Sequence, residues 1–224
     1  MGNSNLNYLK LSWKKRQNMT VEPVKVSVIF YSATGNVTAL AKQLAESAEK
    51  AGAEVRLRRV TELAPQAAID SNPAWAANYE AIQEIPVATA DDVVWADAVV
   101  MGSPTRYGNV AAQLKQFLDT LGPQWFQGQL ADKVYSGFAA ASGKHGGNES
   151  TLLALYNSFH HFGGIIVAPG YANETLFANA SPYGVSHWNG YDIDEQTLAG
   201  ATAQAERVVA TAAALKAGRA AIAG

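Results

Sequence analysis

Five times along the chain, a short apolar run is followed by a segment whose apolar side chains recur at helical spacing. The runs are Val24–Phe30, Glu54–Val60, Asp97–Met101, Lys133–Ala141 and Gly164–Ala168. Val37, Leu40, Ala41, Leu44, Ala45 and Ala48 line one helix face after the first run, with Asn36 as the expected N-cap and Gly52 as the stop. Leu114, Phe117, Leu118 and Leu121 do the same after the third run, and Leu152, Leu153, Tyr156 and Phe159 after the fourth. A last helix is predicted over 194–216. Strands alternating with helices close into a parallel sheet covered on both faces. The arginines of the second run (EVRLRRV) suit a strand near the sheet edge.

Composition narrows the function classes. Of 224 residues, 48% are hydrophobic and 16% charged, which excludes wholesale disorder. Cysteine is absent, so disulfide scaffolds, thiolate metal ligation and a thiol nucleophile are excluded, and a reducing, cytoplasmic setting is expected. The net charge of −2, without a basic stripe, argues against nucleic acid as a partner. No apolar run is long enough to suggest a membrane span. Residues 1–23 carry Lys10, Lys14, Lys15 and Arg16 among polar residues and are expected to form a basic extension, leaving 24–224 as the domain. Two segments, 61–92 and 170–192, are expected to be mainly loop, with a helical turn or two over 75–82.

In open parallel sheets, ligands bind beyond the carboxyl ends of the strands, where the strand order reverses. Three loops leave such ends. The first, with Ser32, Ala33, Thr34, Gly35, Asn36 and Val37, offers hydroxyls, a glycine and a helix N-terminus. Free backbone N–H groups there can bind a phosphate without a cation. The pattern is neither a P-loop nor Gly-x-Gly-x-x-Gly, so it suits a mononucleotide; it would also serve as an ordinary capped helix start. The second loop packs Pro104, Thr105, Arg106, Tyr107, Gly108 and Asn109 into one turn, with flat and polar groups suited to a heteroaromatic ring, Asn109 being a candidate cap for the next helix. The alternative is a Pro-Thr pair that simply shapes a βα turn. The third, with Ala141, Ser142, Gly143, Lys144, His145 and Gly146, is glycine-rich enough for close backbone approach. His160 and His161 near a helix end could serve as dipole partners there. No acidic or cysteine neighbour stands at ligand spacing from these histidines, which argues against a metal site.

Taken together, the three loops resemble the WrbA family of flavodoxin-like NAD(P)H:quinone oxidoreductases. The resemblance runs over roughly 24–216 and is carried by Gly102-Ser103-Pro104-Thr105-Arg106-Tyr107-Gly108-Asn109 with Gln113, Phe117, Leu118 and Asp119. Trp125, Gly146-Gly147-Asn148-Glu149, His160-His161 and Ser181-Pro182-Tyr183-Gly184 follow in the same order. It implies a doubly wound five-stranded sheet of order 2-1-3-4-5 and FMN held by all three loops. It also implies NADH or NADPH as donor, a quinone as acceptor in ping-pong exchange, and a homotetramer whose neighbouring subunit helps close each site. His161 would meet the flavin; Trp125, Tyr107 and Thr34 would line the substrate side. Thr34 stands where the family usually carries an aromatic residue, and Ser32-Ala33-Thr34-Gly35-Asn36 is also similar to the phosphate loop of an electron-carrying flavodoxin. A carrier serving a protein partner is therefore the alternative function.

Overall fold

A computed structural model describes residues 22–179, 181–188 and 193–223. The basic extension expected over 1–23 thus lies, up to residue 21, outside the described residues. The strands are β1 (Lys25–Phe30), β2 (Glu54–Arg59), β3 (Ala98–Pro104), β4 (Val134–Ala140), β5 (Ile165–Ile166) and β6 (Ser186–His187). The helices are α1 (Asn36–Lys50), α2 (Gln66–Asp70), α3 (Pro73–Ala81), α4 (Ala90–Trp95), α5 (Ala112–Asp119), α6 (Gly122–Phe126), α7 (Asn148–His161), α8 (Glu174–Asn179) and α9 (Glu195–Ala223).

The sheet is parallel and runs β2-β1-β3-β4-β5, the doubly wound flavodoxin order. Alternation of side chains along β1 sends Val26, Val28 and Phe30 to one face, against Leu40 and Leu44 of α1 and Ala205 and Val208 of α9. It sends Ile29 to the other face, with Val99 and Met101, against Leu114 and Leu118 of α5 and Leu152, Leu155 and Phe159 of α7. The central strands β3 and β4 are buried on both sides, whereas β2 is half-exposed at the edge, as its arginines lead one to expect. There Arg56 and Arg58 both pair with Asp92, at 3.2 and 2.9 Å, which closes a capping box with Thr89 at the start of α4.

Four expectations need correction. The fifth strand is not continuous over 164–168: β5 pairs with Val134 and Tyr135, and β6, twenty residues on, pairs with Ala139 and Ala140 along the same edge of β4. The chain between them leaves the sheet and carries α8, so 170–192 is more than a loop; 189–192 lie outside the described residues. Asn36 is the first residue of α1, and Gly35, with φ +107°, occupies the N-cap. Segment 61–92 is more ordered than expected, holding α2, α3 and the start of α4. At the far end of α1, Gly52 (φ +90°) stops the helix as expected, its N–H donating to Glu49 O at 2.9 Å.

Candidate functional site

The carboxyl ends of β1, β3 and β4 stand side by side, because Phe30 pairs with Gly102 and Pro104 with Ala140. The strand order reverses between β1 and β3, so this edge is where an α/β sheet opens a binding crevice. A cleft of about 230 Å³, open to solvent, lies there. It is lined by Ser32, Ala33, Thr34, Asn36 and Val37 from the first loop, Pro104, Thr105 and Arg106 from the second, and Ala140, Ala141 and Ser142 from the third.

The first loop ends in a bare helix terminus. Gly35 N–H donates to the Ser32 hydroxyl at 3.2 Å, and the first bond of α1 runs from Ala39 N–H to Gly35 O at 2.9 Å. The amides of residues 36–38 therefore have no partner within the helix and no side-chain cap. The loop is braced from outside by α3. Asn78, 9% exposed, donates from Nδ2 to Ser32 O at 2.9 Å and to Ala33 O at 3.0 Å, and its Oδ1 accepts from the Thr38 hydroxyl at 2.9 Å.

The second loop is a tight hairpin. Arg106 N–H donates to Asn109 O and Asn109 N–H to Arg106 O, at 2.8 and 3.0 Å. Between them Tyr107 (φ +53°) and Gly108 (φ +76°) both take left-handed conformations, the pattern of a primed turn. Tyr107 projects fully into solvent at the tip. Asn109 does not cap α5: its Oδ1 accepts from Val110 N–H at 3.0 Å, and the N-cap is Ala111, whose N–H donates to the Ser103 hydroxyl at 2.8 Å. The Thr151 hydroxyl of α7, 2.8 Å from both the Thr105 hydroxyl and Gly147 O, ties this hairpin to the third loop.

The third loop hangs from β6, Ala141 N–H donating to His187 O at 2.8 Å. Ser142, Gly143, Lys144, His145 and Gly146 are all exposed, and Lys144 Nζ lies 6.0 Å from the centre of the Trp188 ring. The loop passes into α7 through Gly147 (φ +95°).

Behind the first two loops lies a polar cluster that sequence reasoning missed. Glu62 accepts from the Tyr31 hydroxyl (2.9 Å), Trp75 Nε1 (3.1 Å) and Gln113 Nε2 (2.7 Å), and from the amides of Leu63 and Ala64. Burial tends to raise the Glu62 pKa, but the Ala64 amide, Gln113, Tyr31 and the Leu63 amide together hold it below the usual carboxylate value. Burial, then the Glu62 charge, push the Tyr31 phenol well up, against a smaller opposing pull from Arg106. The cluster thus keeps a neutral phenol and an ionised carboxylate next to the cleft. Asn78 was also missed; the Asn72-Pro73 pair, an N-cap followed by proline at N1, was the available signal for its helix.

Trp125 and His161 are brought together, but not at the cleft. Trp125 Nε1 donates to His161 O at 2.7 Å. The N-terminus of α7 meets the second loop, and His161 closes the last turn of this 14-residue helix, about 20 Å away at 1.5 Å per residue. Trp125 and Phe126 are both exposed at that end. Among the described residues, no group of three or more His, Cys, Asp or Glu is arranged to hold a metal ion.

Residues 24–177 match the family described as NADPH-dependent FMN reductase. A Deinococcus radiodurans protein named NAD(P)H dehydrogenase (quinone) is 46% identical over 165 residues, 73% of this chain and 82% of that one. NAD(P)H dehydrogenase (quinone) 3 of Rhizobium meliloti is 37% identical over 206 residues, 87% of this chain and 95% of that one. Among solved structures, the flavodoxin-like, WrbA-like protein of Agrobacterium tumefaciens shares the fold with a TM-score of 0.61 at 23% identity, over 84% of this chain and 97% of that one. An archaeal flavodoxin does so with a TM-score of 0.55 at 14% identity, over 84% and 99%.

Proposed function

Because the chain belongs to the NADPH-dependent FMN reductase family, we propose that it is an FMN-dependent NAD(P)H:quinone oxidoreductase, in keeping with the name its relatives carry. The observation that carries this reading is the convergence of three loops on one cleft whose phosphate end offers unpaired amides instead of a lysine.

The donor set fits FMN. The amides of residues 36–38, with the Ser32 and Thr34 side chains beside them, take a phosphate dianion at the positive end of the α1 dipole. Loop backbone over 141–146 and Arg106, which lines the cleft, would offer donors to the polar edge of the FMN ring. Such donors would favour negative charge on the ring. Pro104, Gly108 and Asn109 hold the hairpin that carries Thr105, Arg106 and Tyr107. The chemistry that FMN would supply when bound is two-electron transfer between a nicotinamide and a quinone. Thr34 lines the cleft and is exposed, and Tyr107 stands at the solvent-exposed hairpin tip; together they would wall a flat acceptor.

Trp125 and His161 reach such a site only from another copy of the chain, being a helix length from their own cleft. We assign them to the neighbour's site in a homotetramer, Trp125 beside the substrate and His161 beside the flavin. The exposed Trp125 and Phe126 at that end support an interface. Sedimentation of the purified chain checks the assembly. No helix among the described residues is long and apolar enough to cross a membrane, and the nicotinamide donor points to the cytoplasm as the working compartment.

The deciding experiment is a visible spectrum under anaerobic conditions. The purified protein is expected to be yellow, to bleach on adding NADPH or NADH, and to regain colour with benzoquinone through many turnovers. A flavodoxin-type carrier would hold FMN but consume negligible NADPH without a separate reductase. A colourless protein that takes up no FMN ends the reading.

A further inference from the structure

A loop that binds a dianion through backbone amides has a weakness built into it. Each peptide unit that offers an N–H also carries a carbonyl, and a carbonyl turned into the site repels the phosphate. In this chain the Ser32 and Ala33 carbonyls are turned outward, and one side chain holds both. Asn78 Nδ2 carries two hydrogens, and its contacts at 2.9 and 3.0 Å account for one each. The amide cannot exchange its ends freely. Its Oδ1 accepts the Thr38 hydroxyl at 2.9 Å, and a flipped amide would set its oxygen against two carbonyl oxygens. The side chain is buried and every polar atom of it is paired, so solvent offers no substitute for the clamp. Gly35 Cα lies close by: a Cβ added there would meet Asn78 Oδ1 at 3.7 Å, so the amide backs directly onto the left-handed residue that opens α1.

Helix α3, which carries Asn78, lies between β2 and β3 and is no part of the βα repeat. From this geometry we infer that Asn78 is a positioning residue for the phosphate loop, holding its carbonyls out of the anion site so that its amides face in. The inference rests on reading residues 32–37 as the FMN phosphate site. It makes phosphate affinity depend on a residue that does not touch the phosphate.

The test compares FMN with riboflavin, which has the same ring and no phosphate. Each is titrated by fluorescence quenching into the full chain stripped of flavin. Asn78→Leu, similar in volume and unable to hydrogen-bond, is expected to weaken FMN at least roughly tenfold and to leave riboflavin within about twofold. Asn78→Asp is expected to be worse, since a carboxylate faces both carbonyls and adds charge near the phosphate. Thr38→Val leaves the two donations in place but removes the donor that holds Oδ1, loosening the clamp, and should weaken FMN by roughly threefold with the same selectivity, which keeps the idea testable if Asn78→Leu does not fold. Wild-type FMN affinity in Asn78→Leu, or an equal loss for both flavins, overturns the inference and leaves the proposed function standing. Failure of the unaltered chain to bind FMN overturns the functional reading itself, and this inference with it.

Discussion

Gly102 opens the motif that carries the second loop, yet the structure gives it a packing duty. It pairs in register with Phe138 on β4, and both are buried at the centre of the sheet. A Cβ at position 102 would lie 2.1 Å from two carbons of the Phe138 ring and 2.7 Å from a third. Carbon atoms settle at about 3.5 Å, so the ring would have to retreat by more than an ångström into a core that also holds Phe30, Leu40 and Val100. Close-packed interiors have no such slack. Gly102→Ala is therefore expected to cost about 3 kcal/mol, the upper end for overpacking. For a chain of this size that corresponds to roughly 6–12 °C in Tm. Urea unfolding followed by circular dichroism reads the loss. Phe138→Leu alone should cost roughly 1–2 kcal/mol, and the double variant less than the sum by about 1 kcal/mol, because the smaller side chain makes room for the methyl group. Flavin affinity in the double variant should stay close to that of the unaltered chain. A Gly102→Ala loss under about 0.5 kcal/mol, or strict additivity of the pair, would refute the steric argument.

Three more outcomes follow from the site. Thr34→Val should weaken FMN by about 1–2 kcal/mol if its hydroxyl meets the phosphate, and an unchanged dissociation constant by fluorescence titration rejects that role. Trp125→Ala should raise the KM for quinone while FMN still binds; loss of FMN instead would move this residue into the cofactor site. Glu62 and Asp92 both have depressed pKa values, by hydrogen bonds in the first case and by Thr89 and the arginines in the second, once the opposing effect of burial is overcome. A depressed carboxylate contributes stability that is complete above its unfolded-state pKa of about 4 and is lost as pH falls through the folded value. Urea midpoints should thus be flat from about pH 7 to 5 and fall below about pH 4, less steeply in Asp92→Asn; a midpoint that holds down to pH 3 would contradict the assignment.

Most of the strand–helix alternation was legible because periodicity is a local property of the chain. Val26, Val28 and Phe30 declare a strand, and Leu40 and Leu44 a helix, before any partner is known. The three loops were legible for the same reason: small, polar and glycine-rich stretches at strand ends mark where backbone can approach a ligand. What escaped was decided by partners distant in sequence. The split fifth strand depends on β4 offering two stretches of free edge, and Ser186–His187 has no apolar run to announce it. Asn109 looked like a cap, but the turn geometry directed its side chain to its own neighbour.

The chain alone therefore determined a doubly wound sheet and a first loop free of cationic side chains, since both reside in residue types and their spacing. Tertiary structure decided which outlying residues serve that loop. Asn78 reaches Ser32 across 46 positions of sequence, and Trp125 and His161 meet each other a helix length from the cleft. Such pairings depend on how helices dock against the sheet, and docking follows from the packing of the whole core, which no local pattern encodes.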